Sequence, residues 1–114
     1  MTSSRSGPRM TISTQLVLRT LLEDPTQEMY GLKICEVAGL PSGTVHPILA
    51  RLEAIGWLAS RWEKVDPSEE GRPRRRYYRL HPNSVGAVQA ALARATASSP
   101  AGARILPGFA GGAS

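Results

Sequence analysis

Apolar residues return at helical spacing along the first half of the chain and at strand spacing after it. Ile12, Leu16, Leu18, Leu21 and Leu22 form a broad stripe, with Val17 beside it. The pattern predicts a first helix from about Thr11, capped by Thr11 or Ser13. Asp24-Pro25 ends it, because the residue before proline avoids helical backbone angles. Thr26-Gln27-Glu28 then leads to a short second helix over about Met29–Ala38, with Leu32, Ile34, Cys35 and Ala38 as its small or apolar residues. Gly39 stands where a left-handed cap is wanted, Leu40-Pro41 turns the chain, and Ser42 is placed to cap the next helix.

The third helix is predicted from Ser42 to about Ile55. Val45, Ile48, Leu49, Leu52 and Ile55 should face the core, and Gly56 closes the helix. Its other face presents Gly43, Thr44, His46, Pro47, Ala50 and Arg51. Pro47 is early enough to remove at most one backbone bond. Two short helices joined by a tight, Gly-containing turn form a helix-turn-helix. Strand period follows: Leu58, Ser60 and Trp62 alternate with Ala59, Arg61 and Glu63. After loop-like Asp66 to Gly71, alternation resumes over Arg75–Leu80, with Tyr78 and Leu80 on one face. These strands make a hairpin with a long loop. His81-Pro82-Asn83-Ser84 turns the chain, and Asn83 or Ser84 caps a fourth helix over about Val85–Ala97, with Val85, Val88, Leu92 and Ala95 as its stripe.

The fold class read from this order is mainly α with a small β-hairpin, a winged helix-turn-helix followed by a further helix. Residues 1–10 are read as a disordered tail, 11–82 as the winged domain, 83–97 as the C-terminal helix and 98–114 as a disordered Ala, Gly, Pro and Ser tail. Ile105, Leu106 and Phe109 interrupt that last tail. At 114 residues the chain holds one domain, and oligomerisation would help so small a core.

Charge sharpens the picture. The formal net charge is +5, and all but Lys33 and Lys64 of the 14 cations are arginines. Arginine suits bidentate contact with phosphate and guanine edges. Arg72, Arg74, Arg75, Arg76 and Arg79 cluster on the second strand and its approach, whereas the loop tip carries Asp66, Glu69 and Glu70. Cys35 is the single cysteine, so an intrachain disulfide and a thiolate metal cage are both excluded. His46 and His81 stand far apart, without carboxylates at ligand spacing, so neither a metal nor a cofactor is expected. No nucleophile, base and orienting group can be assembled, which argues against an enzyme. With no signal peptide and no long apolar run, a soluble cytoplasmic protein with no membrane partner is expected.

A major groove admits one helix, and small residues such as Gly43, Thr44, Pro47 and Ala50 keep the entering face narrow. Ser42, Thr44 and His46 lie in the first two turns, where recognition helices touch base edges, and Arg51 follows one to two turns later. The expected partner is double-stranded DNA, with Ser42, Thr44, His46 and Arg51 reading it and Arg72 and Arg74 meeting phosphate. The plainer alternative for each is a solvated surface, or for His46 packing against the hairpin. Trp57 and Trp62 either line a site for a small aromatic effector at a dimer interface or cover the core. A rival function is a winged-helix adaptor that binds proteins through the same surface without sequence-specific DNA binding. An RNA-binding reading lacks stacking aromatics on an open sheet.

Tyr30-Gly31-Leu32-Lys33-Ile34, the run Ser42 to Leu58, Trp62-Glu63 and Gly71 to Leu80 together resemble the PadR family of bacterial transcriptional regulators, over about residues 12–86. The resemblance implies a winged-helix homodimer on an inverted-repeat operator, usually a repressor, released by a small ligand. It also implies dimerisation through the helix after the wing, carried here by Val85, Val88, Leu92 and Ala95, against the partner's first-helix stripe, represented by Leu16. His46 stands where the family usually has tyrosine, and Leu80-His81-Pro82-Asn83-Ser84 replaces its usual Leu-Thr-x-x-Gly.

Overall fold

The computed structural model describes residues 8–98. The 98–114 tail, with Ile105, Leu106 and Phe109, lies outside the described residues except for Ser98, as do the first seven residues. Met10 packs against the core, and its carbonyl accepts from Gln15 Nε2 at 2.9 Å, so the fold begins before Thr11. Helix α1 (Ile12–Leu22) is capped by Thr11, whose hydroxyl accepts from the Thr14 amide. Its buried side is Val17, Leu18 and Leu21, while Ile12 and Leu16 are exposed. The expected broad stripe therefore splits: Val17 belongs to the core, and two members of the stripe face outward.

Next comes β1 (Met29–Tyr30), a two-residue strand where the second helix was expected to begin. Helix α2 (Gly31–Ala38) starts after it and buries Ile34 and Cys35, with Leu32 turned to solvent. Gly39 ends it at φ 73°, and the Gly39 and Leu40 amides both donate to the Cys35 carbonyl. Helix α3 (Ser42–Ala54) begins after Pro41, which is its cap residue, and no side chain caps it. Ser42 is thus the first helical residue rather than the cap. Val45, Ile48, Leu49 and Leu52 are buried as expected. Ile55, at the C-cap and no longer in helical conformation, is exposed.

The hairpin is β2 (Leu58–Trp62) and β3 (Arg76–Leu80), paired antiparallel from Leu58↔Leu80 to Trp62↔Arg76. β1 adds to the other edge of β3, through Met29↔Tyr78 and Tyr30↔Tyr77, giving a three-stranded sheet in the order β1-β3-β2. The wing is therefore tied to the start of α2. The loop between β2 and β3 holds a short helix, α4 (Pro67–Glu70), capped by the Asp66 carboxylate. A 3₁₀ turn (Pro82–Ser84) leads into α5 (Val85–Ser98). His81 caps this turn, its ring accepting from the Asn83 amide. The Ser84 hydroxyl donates to the Gly56 carbonyl at 3.2 Å.

One core joins α1, α2, α3, the sheet and α5. It contains Val17, Leu18, Leu21, Ile34, Val45, Leu49, Leu52, Leu58, Leu80, Val88 and Leu92. Burying each leucine is worth roughly 1.5–3 kcal/mol, so α3 is held by its inner face alone and its outer face is free for other use. Val88 and Leu92 of the stripe implied for dimerisation are inside this core, and Val85 packs against it. Among the described residues no helix is long and apolar enough to cross a membrane.

Candidate nucleic-acid interface

α3 turns one edge to solvent. Ser42, Gly43, His46, Pro47, Ala50 and Arg51 are exposed and Thr44 is half-buried. No described side chain pairs with Arg51. His46 Nδ1 lies 3.3 Å from the Ser42 carbonyl one turn back. A carbonyl only accepts, so Nδ1 is the donor in this contact. The rest of the ring lies over Gly31, at the start of α2: a β-carbon there would stand 3.2 Å from both Cε1 and Nε2.

Facing this edge across a groove of about 330 Å³ is the wing; Tyr30, Gly31, Leu32, His46, Tyr78 and the stretch Arg72 to Arg76 line it. The wing's cations are mostly engaged. Arg72 donates to both oxygens of Glu63, at 2.7 and 3.0 Å, and lies 3.8 Å from Glu70. The pair holds the Glu63 carboxyl at about 2, the Arg72 hydrogen bonds outweighing the opposing effect of partial burial. It also raises the Arg72 guanidinium. Arg61 makes a bidentate pair with Glu28, at 2.7 and 2.8 Å, which lowers the Glu28 carboxyl. Arg76 reaches Glu53 on α3 at 3.3 Å and lies over Trp62. Arg75 stacks on Tyr30, 4.2 Å from the ring centre, and Tyr30 meets Tyr77 edge to face. Arg74 is exposed, with Nε donating to the Val65 carbonyl at 2.9 Å.

The structure thus leaves Ser42, Thr44, His46 and Arg51 outside the buried face of α3, spread around its accessible side. It shows Arg72 paired with Glu63. Its guanidinium braces β2 to the approach of β3, so it is a strut before it is a phosphate ligand. Arg74 keeps its outer nitrogens available. Trp57 packs against the core, and Trp62 lies exposed at the end of β2 beneath Arg76. Of the residues implied for dimerisation, Leu16 is exposed, Ala95 is half-buried, and Val88 and Leu92 are occupied within the protomer. Sequence reasoning missed Glu28, Glu53 and Glu63 as partners of the arginines. Of the three only Glu63 lies within the wing itself, where four acids stand against seven cations between Arg61 and Leu80.

The family model for PadR-like transcriptional regulators matches residues 17–84. The chain belongs to the PadR-like family of transcriptional regulators. No curated protein matches it in sequence. Its fold is similar to that of a possible transcriptional regulator from Methanosarcina mazei Go1, with TM-score 0.58 and 16% identity, over 77% of this chain and 71% of that one. It is also similar to a PadR family regulator from Eggerthella lenta DSM 2243, with TM-score 0.55 and 26% identity, over 70% of each chain. AbfR in its disulfide form is 29% identical, with TM-score 0.56, over 75% of this chain and 56% of AbfR, so the match spans little more than half of that protein. AbfR has also been solved on DNA, both reduced and overoxidized. Membership in this family assigns the chain to regulators of transcription and not to enzymes.

Proposed function

We propose that this regulator binds duplex DNA sequence-specifically through the outer edge of α3, with the wing alongside. The observation that carries the reading is the division of α3. Four buried aliphatic residues anchor one side, and the opposite edge presents small and hydrogen-bonding side chains with one unpaired arginine. A rod of this kind fits a major groove, and the N-terminal turns lead. The DNA-bound forms of AbfR support the same choice of partner. In this reading Ser42, Thr44 and His46 meet base edges, Arg51 and Arg74 meet phosphate, and Arg72 keeps the wing in shape. A protein acting on chromosomal DNA works in the cytoplasm of a bacterial cell.

The chain acts as a homodimer on an inverted repeat and represses. The exposed Ile12 and Leu16, 62% and 37% accessible, support the dimer, since two such residues on one helix are apolar surface without a partner in the protomer. The contact then runs along the outside of α1 and the solvent side of α5, not through Val88 and Leu92. A small effector held by Trp57 and Trp62 would sit at the contact between two copies of the chain. A disulfide like that of the AbfR form cannot close within these residues, which hold one cysteine, and Cys35 is buried.

The test is binding by fluorescence anisotropy to a promoter duplex with an inverted repeat and to random duplex, across a salt series. Strong preference for the repeat, with affinity falling steeply as salt rises, is expected. Equal affinity for both duplexes at every salt would remove sequence-specific regulation.

A further inference from the structure

We infer that Gly31 is a positioning residue for His46, setting where the imidazole stands on the reading edge of α3. The inference rests on the proposed reading of DNA by that edge and names a control over it from another helix. Glycine at the first position of α2 has no conformational reason to be there. Its φ is not positive, unlike those of Gly39, Gly56 and Gly71. Within a helix, alanine is the better residue. What the missing side chain does is leave room. The two atoms that a β-carbon at Gly31 would meet within 4 Å are His46 Cε1 and Nε2, both at 3.2 Å. That is closer than a carbon comfortably stands to an aromatic edge, so the ring would have to move.

The direction of movement is restricted. The ring is tethered through Nδ1 to the Ser42 carbonyl at 3.3 Å and rooted on α3, whose inner face is locked in the core. Gly31 and His46 both line the groove shared with the wing. A methyl group at residue 31 therefore shifts the imidazole by a few tenths of an ångström at the groove that both residues line, beside the reading edge. The same first turn of α2 follows β1, which is hydrogen-bonded to β3 through Tyr30↔Tyr77. The wing, α2 and the reading edge are thus in register at this one contact, and a shift of the wing would be passed to His46.

A double-mutant cycle in the full chain tests this, with Gly31→Ala, His46→Ala and both together. The probe is a duplex that the wild-type protein enriches from a random-sequence pool. Gly31→Ala should weaken binding roughly three- to tenfold and change the base preferred at one position per half-site. In the His46→Ala background the same substitution should change affinity by less than about twofold. Without DNA, the His46 ring proton signals should shift in Gly31→Ala while the melting temperature does not fall. Equal losses in both backgrounds, unmoved ring signals, or unfolding by Gly31→Ala that persists with His46→Ala would overturn the inference. If the wild-type protein enriches no sequence at all, the proposed function fails first, and the ring signals still report whether the contact exists.

Discussion

The outer edge of α3 and the wing differ in what their polar side chains are attached to. On α3, Arg51 has no described partner and Ser42 and Thr44 use only their backbone groups, so those side chains remain available. On the wing, where the arginines are concentrated, Arg61, Arg72 and Arg76 are joined to Glu28, Glu63 and Glu53, and Arg75 lies on Tyr30. The charge-rich region is the structurally committed one, and the charge-poor edge is the free one. Counting arginines therefore overstates how many phosphates the protein neutralises. A paired guanidinium must leave its carboxylate, or bring it along, before it can release a counterion from DNA.

The comparison breaks most visibly at the two faces of α3. Leu52→Ala removes a 1%-exposed side chain from the core and should cost about 2–5 kcal/mol in urea unfolding, enough to leave much of the protein unfolded. Thr44→Ala and Ala50→Ser, eight and two residues away along the same helix, should lie within about 0.5 kcal/mol of wild type in the same assay. A large stability loss from the outer substitutions would mean that this edge is structural after all.

DNA binding gives the next effect in size. Thr44→Ala should cost about 1–3 kcal/mol against the preferred sequence and relax discrimination at the base it meets. Arg51→Ala should weaken all sequences alike and lower the salt slope by about 0.9 per subunit. Arg72→Lys is the informative contrast. It keeps the charge but loses the fork that grips Glu63. If Arg72 is a strut, Arg72→Lys lowers the melting temperature and weakens DNA binding nearly as much as Arg72→Ala. Retained binding in Arg72→Lys, with a salt slope like wild type, would restore it as a simple phosphate contact.

This asymmetry explains how far the sequence could be read. Helices α1, α3 and α5 were legible because their apolar residues repeat over several turns. Gly39 and the β2–β3 alternation were equally plain. Strand β1 was not legible, since two residues have no period, and Met29 and Tyr30 suit a helix as well as a strand. Helix α4 left a signal that was read as loop: Asp66 before Pro67, two acids in the first turn and Gly71 after it. The reading edge of α3 followed directly from the position of its core residues. The wing's arginines did not, because their partners are remote. Glu28 is 33 residues from Arg61, and Glu53 is 23 from Arg76. Which charge is consumed inside the fold depends on tertiary pairing, and local spacing does not report it.

The smallest effect concerns the acid that makes the wing's strut. Glu63 is depressed from 4.5 to about 2 in the folded protein because Arg72 donates to it, with the Arg75 amide adding a further hydrogen bond at 3.1 Å. A carboxylate whose pKa is lowered by folding adds stability above its unfolded value and loses it as pH falls toward the folded one. The contribution should therefore be complete above about pH 5 and fade between about 4.5 and about 2. Glu28 and Asp66 are also lowered and titrate in the same direction, so wild type alone cannot isolate Glu63. The difference between wild type and Glu63→Gln does. Their melting temperatures should be furthest apart near neutral pH and converge as pH drops toward 2, with high salt narrowing the gap throughout because the pair is partly exposed. A gap that stays constant across that range would mean that Glu63 supports the wing by shape, not charge. The wing's arginines would then be freer for DNA than their pairing implies.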